Sequence, residues 1–149
     1  MNKYNTSIIY KIYCKDPKIK EFYIGSTINF NRRHRCHKHQ CNNENFKYHN
    51  RYVYQYIRNN GGWDNFVMEK LKVVYCSNKK ELCIIERSWC DALNPALNRY
   101  NPYRSLEEKK MNYKDYIQKY RKKNKDKINK QQRENYAKRK NKNKNKNIE

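Results

Sequence analysis

Apolar and polar residues alternate along Ser7-Ile8-Ile9-Tyr10-Lys11-Ile12-Tyr13, a stretch rich in β-branched and aromatic types. That pattern predicts a strand over residues 7 to 13, with Ile8, Tyr10 and Ile12 on one face. Asp16-Pro17 carries turn chemistry, and Phe22 to Ile24 resumes the extended pattern, so the two segments form a hairpin. Gly25-Ser26 is expected to end the second strand in a turn. Asn29 then caps a helix from Phe30 to about His39, which places Arg33 and His37 four apart on one face.

A second, Tyr-rich helix is expected over roughly Asn50 to Asn59, stopped by Gly61-Gly62, and a third strand over Phe66 to Tyr75. From Asn78 to Leu93 the periodicity is strongly helical. Asn78 and Glu81 are spaced as a capping box, and Leu82, Ile85, Trp89 and Leu93 form the apolar stripe. Glu86 falls inside that stripe, where an ionised side chain is costly unless something compensates it. Asn94-Pro95 ends the helix.

After Tyr103 the pattern changes. Ser105 and Glu108 fit another capping box, and Tyr113, Tyr116, Ile117 and Tyr120 keep helical spacing. Beyond Lys122 apolar positions thin out, and the Lys/Asn-rich run from Lys138 to Lys146 is expected to be disordered in the free protein. The domain boundary is set at 103/104, with a domain over residues 1–103 and a basic tail, part helical and part disordered, over 104–149.

Composition sharpens this picture. The 149 residues suit one compact domain with an appendage. A formal charge of +22, from 36 Lys and Arg against 14 Asp and Glu, exceeds what solubility requires and points to a polyanion, with nucleic acid first. Both parts of the chain are basic. No run of about 18 apolar residues and no signal-peptide core exist, so an intracellular protein with no membrane role and six reduced cysteines is expected. The excess of Lys, Asn, Tyr and Ile matches an AT-rich genome, and with the short basic format it would suit a large DNA virus.

The ordered set Ile8-Ile9-Tyr10, Tyr23-Ile24-Gly25, helical Arg33, helical Glu86 and Asn98 in Pro95-Ala96-Leu97-Asn98 resembles the GIY-YIG nuclease superfamily over about residues 7 to 101. Asn60-Gly61-Gly62-Trp63-Asp64-Asn65-Phe66 resembles the link before the third strand in its homing-endonuclease-like branch. Each tripeptide alone is weak; the ordered five are not. Ile8 departs from the family's usual Gly, and the gap between Tyr10 and Tyr23 gives a longer hairpin. Tyr13 is a rival for the first tyrosine, although Tyr10 between Ile9 and Lys11 fits better.

The resemblance implies an α+β domain, a three-stranded antiparallel sheet flanked by helices, that cuts DNA phosphodiesters with one divalent metal, Mg²⁺ first and Mn²⁺ as the alternative. No small-molecule cofactor is expected, and oligomeric state is left open. Glu86 is the metal ligand, since Mg²⁺ takes one or two carboxylates and keeps several waters. Tyr10 is the candidate base or water-orienting group, provided Arg33 and the metal lower its pKa. Tyr23 would hold a metal-bound water or the phosphate, and Arg33 would stabilise transition-state charge. His37 could protonate the leaving oxygen or touch the backbone. Gly25 and Asn98 support the site, and Arg32, Arg35, Lys122, Lys123, Lys138, Arg139 and Lys140 are candidate nucleic-acid contacts.

Blander readings compete: Tyr10 and Tyr23 as ordinary sheet residues, Arg33 as a solvated charge, Glu86 as the partner of a lysine. They leave the family order of all five unexplained. A catalytically silent nucleic-acid-binding module on the same fold is the alternative, and an RNA-binding basic protein a third. A zinc reading of His34-Arg35-Cys36-His37-Lys38-His39-Gln40-Cys41 lacks a clean second ligand pair. Cys83 and Cys90 are read as core-facing.

Overall fold

The computed structural model describes residues 2–146, with residues 141–146 as backbone only. It divides into two compact units between Tyr103 and Arg104. The first holds a three-stranded antiparallel sheet, β1 (Ser7–Cys14), β2 (Phe22–Thr27) and β3 (Phe66–Val74), with β1 in the centre. Around it lie α1 (Phe30–Asn42), α2 (Tyr52–Asn59) and α3 (Lys79–Leu93). This is the α+β architecture that the periodicity and the family resemblance imply.

Both faces of the sheet are covered, which the simple alternation in β1 does not announce. Tyr10, Ile12 and Cys14 pack with Val53, Tyr54, Ile57 and Trp63, while Ile9 and Ile24 pack with Leu82 and Cys90 from α3. Ile9, expected on the outer face, is therefore as fully buried as Tyr10. Leu93, assigned to the apolar stripe of α3, is exposed at the last turn. Asn94 there takes a left-handed backbone conformation and donates its N–H to Cys90, closing the helix before Pro95. All six cysteines are free thiols; Cys90 is buried and Cys83 half-buried.

The caps follow the sequence. The Asn29 side chain accepts from the Arg32 N–H, and Asn78 accepts from Glu81. Glu81 reaches back one residue further than a simple capping box, to the N–H of Ser77. Gly61 and Gly62 both have positive φ after α2, and Asn65 donates to the Asn60 carbonyl across that turn. The link ends in a 3₁₀ turn, Trp63–Asn65, that drives Trp63 into the core.

Gly25 does not make the expected turn. The second strand continues through it to Thr27, pairing Gly25 with Tyr10. A Cβ at this position would collide with the Tyr10 hydroxyl and ring and lie 2.9 Å from Cε1 of Tyr23. Glycine is needed here for close approach, so that the Tyr10 ring can lie across β2.

β2 is an edge strand, and its outward-facing backbone needs partners. Asn98 supplies them: the Ile24 N–H donates to Asn98 Oδ1 at 2.9 Å, and Asn98 Nδ2 donates to the Ile24 carbonyl at 2.8 Å. One side-chain amide thus stands in for a neighbouring strand.

The second unit is two helices, α4 (Leu106–Lys123) and α5 (Lys125–Lys146). Ser105 and Glu108 form the expected capping box. The run from Lys138 to Lys146, expected to be disordered, is helical in its backbone as far as described. Lys and Arg are good helix formers individually and Asn is a poor one, so local propensity supports the helix only in part and no apolar face accompanies it. Residues 147–149 lie outside the described chain.

The close approach at Gly25 gives a direct test. Gly25→Ala should lower stability by about 1–3 kcal/mol, the usual cost of forcing extra carbon into a packed site. Urea unfolding of the variant checks the value, and an unchanged midpoint would show that the Tyr10 ring has room to move.

Candidate active site

The sheet brings Tyr10 and Tyr23 onto one face, and α1 lays Arg33 and His37 over them. Tyr10 is fully buried, so its hydroxyl must be satisfied from within. Arg33 Nε donates to Tyr10 Oη at 3.0 Å, and Tyr10 Oη lies 2.8 Å from His37 Nε2. On the far side of the imidazole, His37 Nδ1 lies 2.8 Å from Tyr54 Oη, and Tyr54 donates to Gln40 Oε1 at 2.7 Å. Trp63 stacks parallel on the imidazole, 9° from coplanar, and Phe30 meets Tyr10 edge-on.

Proton accounting gives this chain one direction. The Tyr54 proton goes to Gln40, so Nδ1 of His37 must carry a hydrogen and donate to Tyr54. A neutral His37 then has an open lone pair on Nε2, which accepts the Tyr10 proton while Tyr10 accepts from Arg33. Burial, reinforced by the charge of Arg33, pushes the His37 pKa down to about 3. His37 is therefore neutral at physiological pH, and both its nitrogens are engaged. Its ring bonds both Tyr10 and Tyr54, and His37 is also among the residues that line the cleft beside β2.

Glu86 rises from α3, and Ser26 Oγ donates to its Oε2 at 2.5 Å. Burial raises the Glu86 pKa, while the Ser26 hydrogen bond and the Arg33 charge oppose the rise. A cleft of about 650 Å³ opens beside the β2 edge, lined by Tyr23, Arg33, Glu86 and Asn98, with Arg51 and Arg99 among the basic residues around it. Tyr10 is absent from that lining. Of the two, Tyr23 is the phenol that lines the cleft, and the buried Tyr10 bonds Arg33 and His37. Both phenols have raised pKa values, chiefly from burial, which outweighs the Arg33 charge expected to lower them.

Tyr10, Tyr23, Gly25, Arg33, His37, Glu86 and Asn98 thus come together. Tyr13 sits away from them, opposite Phe22, under the influence of Glu69. Arg32 and Arg35 are exposed on α1, and Lys122, Lys123, Lys138, Arg139 and Lys140 are exposed on the helices of the second unit. In the candidate zinc segment, His34 packs edge-on against Trp63, His39 against Phe46, and Cys41 is buried beneath Tyr54. No group of three or more metal-ligating side chains occurs among the described residues. Ser26, Gln40, Tyr54 and Trp63 were not expected at the site. Gln40 was readable as the i+3 neighbour of His37, and Ser26 once β2 is carried past Gly25.

A family model described as the GIY-YIG catalytic domain matches residues 6–101. No curated protein and no solved structure matches the chain.

The neutral histidine makes stability depend on pH with a definite sign. The unfolded chain takes up a proton at His37 near pH 6.5, whereas the folded state resists until about pH 3. Its contribution is full above pH 6.5 and is lost on acidification at up to about 1.4 kcal/mol per pH unit. Urea unfolding from pH 7 down to pH 4 should show this slope in the wild type and a shallower one in His37→Gln. Equal slopes would mean that His37 titrates normally in the fold.

Proposed function

The chain belongs to the GIY-YIG family, whose domain implies nuclease-type function, and from that premise we propose that this protein is a metal-dependent DNA endonuclease hydrolysing phosphodiester bonds. The observation that carries the proposal is that Arg33 and Glu86 share one cleft, near enough for the Arg33 charge to act on the Glu86 carboxyl but not in contact. Among the described residues, no ion pair joins them. Two opposite charges taken partly out of water and left apart are costly in a free-standing fold. A phosphate against Arg33 and a cation against Glu86 compensate both. A silent binding module leaves Glu86 without a purpose.

Glu86 fits a divalent cation: a hard oxygen donor at the cleft, oriented from behind by Ser26, in a site with room for the waters that Mg²⁺ retains. When bound, such an ion would supply Lewis acidity and lower the pKa of a coordinated water. The protein's residues do the rest. Arg33, its Nε tied to Tyr10, presents the remainder of a fixed guanidinium to the phosphoryl oxygens as negative charge builds. Tyr23 hydrogen-bonds the attacking water or a phosphate oxygen. Its raised pKa keeps it protonated at neutral pH until a cation arrives, so its first role is orientation. Tyr10, itself bonded to His37, holds Arg33 in place.

Glu86→Gln should abolish cleavage of plasmid DNA in Mg²⁺ or Mn²⁺ while leaving fold and DNA binding intact. Tyr23→Phe should slow the single-turnover step by about 10²-fold, the scale on which misplacing a reacting group acts. Undiminished cutting by Glu86→Gln at every metal concentration would refute the assignment.

The helices of the second unit, with their exposed Lys and Arg, serve in this proposal as a non-specific DNA arm. Truncation after Tyr103 should weaken DNA binding and flatten its dependence on salt, since log K falls with log salt by about 0.9 per phosphate neutralised. Single-turnover cleavage at saturating DNA and low salt should survive. A truncated protein that is folded and saturated yet cannot cut would place part of the catalytic machinery beyond Tyr103.

A further inference from the structure

The wall of the cleft beyond Asn98 differs in character from the catalytic side. Arg99 lies flat over the Tyr52 ring, its guanidinium carbon 3.7 Å from the centroid, and Tyr100 is 81% exposed. Both line the cleft that holds Arg33 and Glu86. Their position is fixed from behind, because the preceding Asn98 is bonded through both its amide atoms to Ile24 of β2. Arg51, on the same cleft, is stacked over Tyr48 at 4.0 Å, so a second guanidinium is held in a plane.

Phosphates need only the charge of Arg51 and Arg99. They give no reason for an open phenol ring beside a guanidinium whose outer face is free of its tyrosine. Two adjacent planar groups on a basic rim suit the faces of nucleobases. In a perfect duplex those faces are covered by neighbouring base pairs. A base can meet Tyr100 and Arg99 only if it is unpaired or turned out of the stack. The cleft, at about 650 Å³, lies within the size range that encloses small molecules and suits a nucleotide better than a duplex surface.

We propose that Arg99 and Tyr100 form a stacking platform for an unpaired nucleotide next to the scissile phosphate, so that the preferred substrate is DNA with unpaired bases at the cut site. This rests on the nuclease reading of the cleft for its orientation, and on the exposed rings for its chemistry.

The test uses the full chain and three synthetic DNAs: a perfectly paired duplex, the same duplex with a central mismatched run, and one of its strands alone. Binding is read with the Glu86→Gln background, using 2-aminopurine in the mismatched run to report stacking, and cleavage with the otherwise native chain in Mg²⁺. Mismatched and single-stranded DNA should bind about tenfold or more tighter than the duplex, with 2-aminopurine quenched. Tyr100→Ala should remove about tenfold of that preference and leave duplex binding unchanged, and Tyr100→Phe should restore it. Because Tyr100 is exposed, the substitution leaves the core untouched. Equal binding of paired and unpaired DNA by the wild type, or equal weakening of both by Tyr100→Ala, would overturn the platform. A preference in binding without cutting of any DNA would sustain the platform and sink the nuclease reading.

Discussion

A phenol with no exposure to water can persist only if its donor and its acceptor are both used, and Tyr10 organises the domain around that requirement. Gly25 gives its ring passage across β2, Arg33 gives its oxygen a charged donor, and His37 takes its proton. The imidazole is then fixed by Tyr54 and Gln40 on one side and by the face of Trp63 on the other. Residues from β1, β2, α1, α2 and the 3₁₀ turn are thereby locked to one hydroxyl. The guanidinium that reaches the cleft inherits that rigidity.

The electrostatics of the cleft follow from burial more than from neighbouring charge. Burial raises Tyr10, Tyr23 and Glu86 and lowers His37, and each shift favours the neutral form. At Glu86 the Ser26 hydrogen bond and the Arg33 charge oppose that rise, so the two charged groups that share the cleft are coupled.

Much of this was legible in the sequence because the strongest signals are local. Alternation in Ser7–Cys14, the caps at Asn29, Asn78 and Ser105, and the stop at Gly61-Gly62 need no tertiary information, and all fall where the chain chemistry puts them. Family order brought Tyr23, Arg33, Glu86 and Asn98 together correctly. What failed depended on contacts distant in sequence. Gly25 looks like a turn residue until Tyr10 is known to lie over it, and Ile9 looks outward until α3 is known to cover that face. Which of Tyr10 and Tyr23 faces the cleft could not be told from spacing, because that depends on which helices close over each ring.

Asn98 shows how stability and placement of the site coincide in one residue. An edge strand with bare amide and carbonyl groups invites pairing with another chain, and a single amide covers both groups of Ile24. The same residue immediately precedes Arg99 and Tyr100, and all three line the cleft. On the strand it caps, Ser26 reaches Glu86 from one face while Tyr23 looks into the cleft from the other. A residue that merely protected the edge could be replaced by a charged side chain; Asn98 also lines the cleft beside Tyr23, Arg33 and Glu86, so a substitute that protected Ile24 would still change the cleft wall.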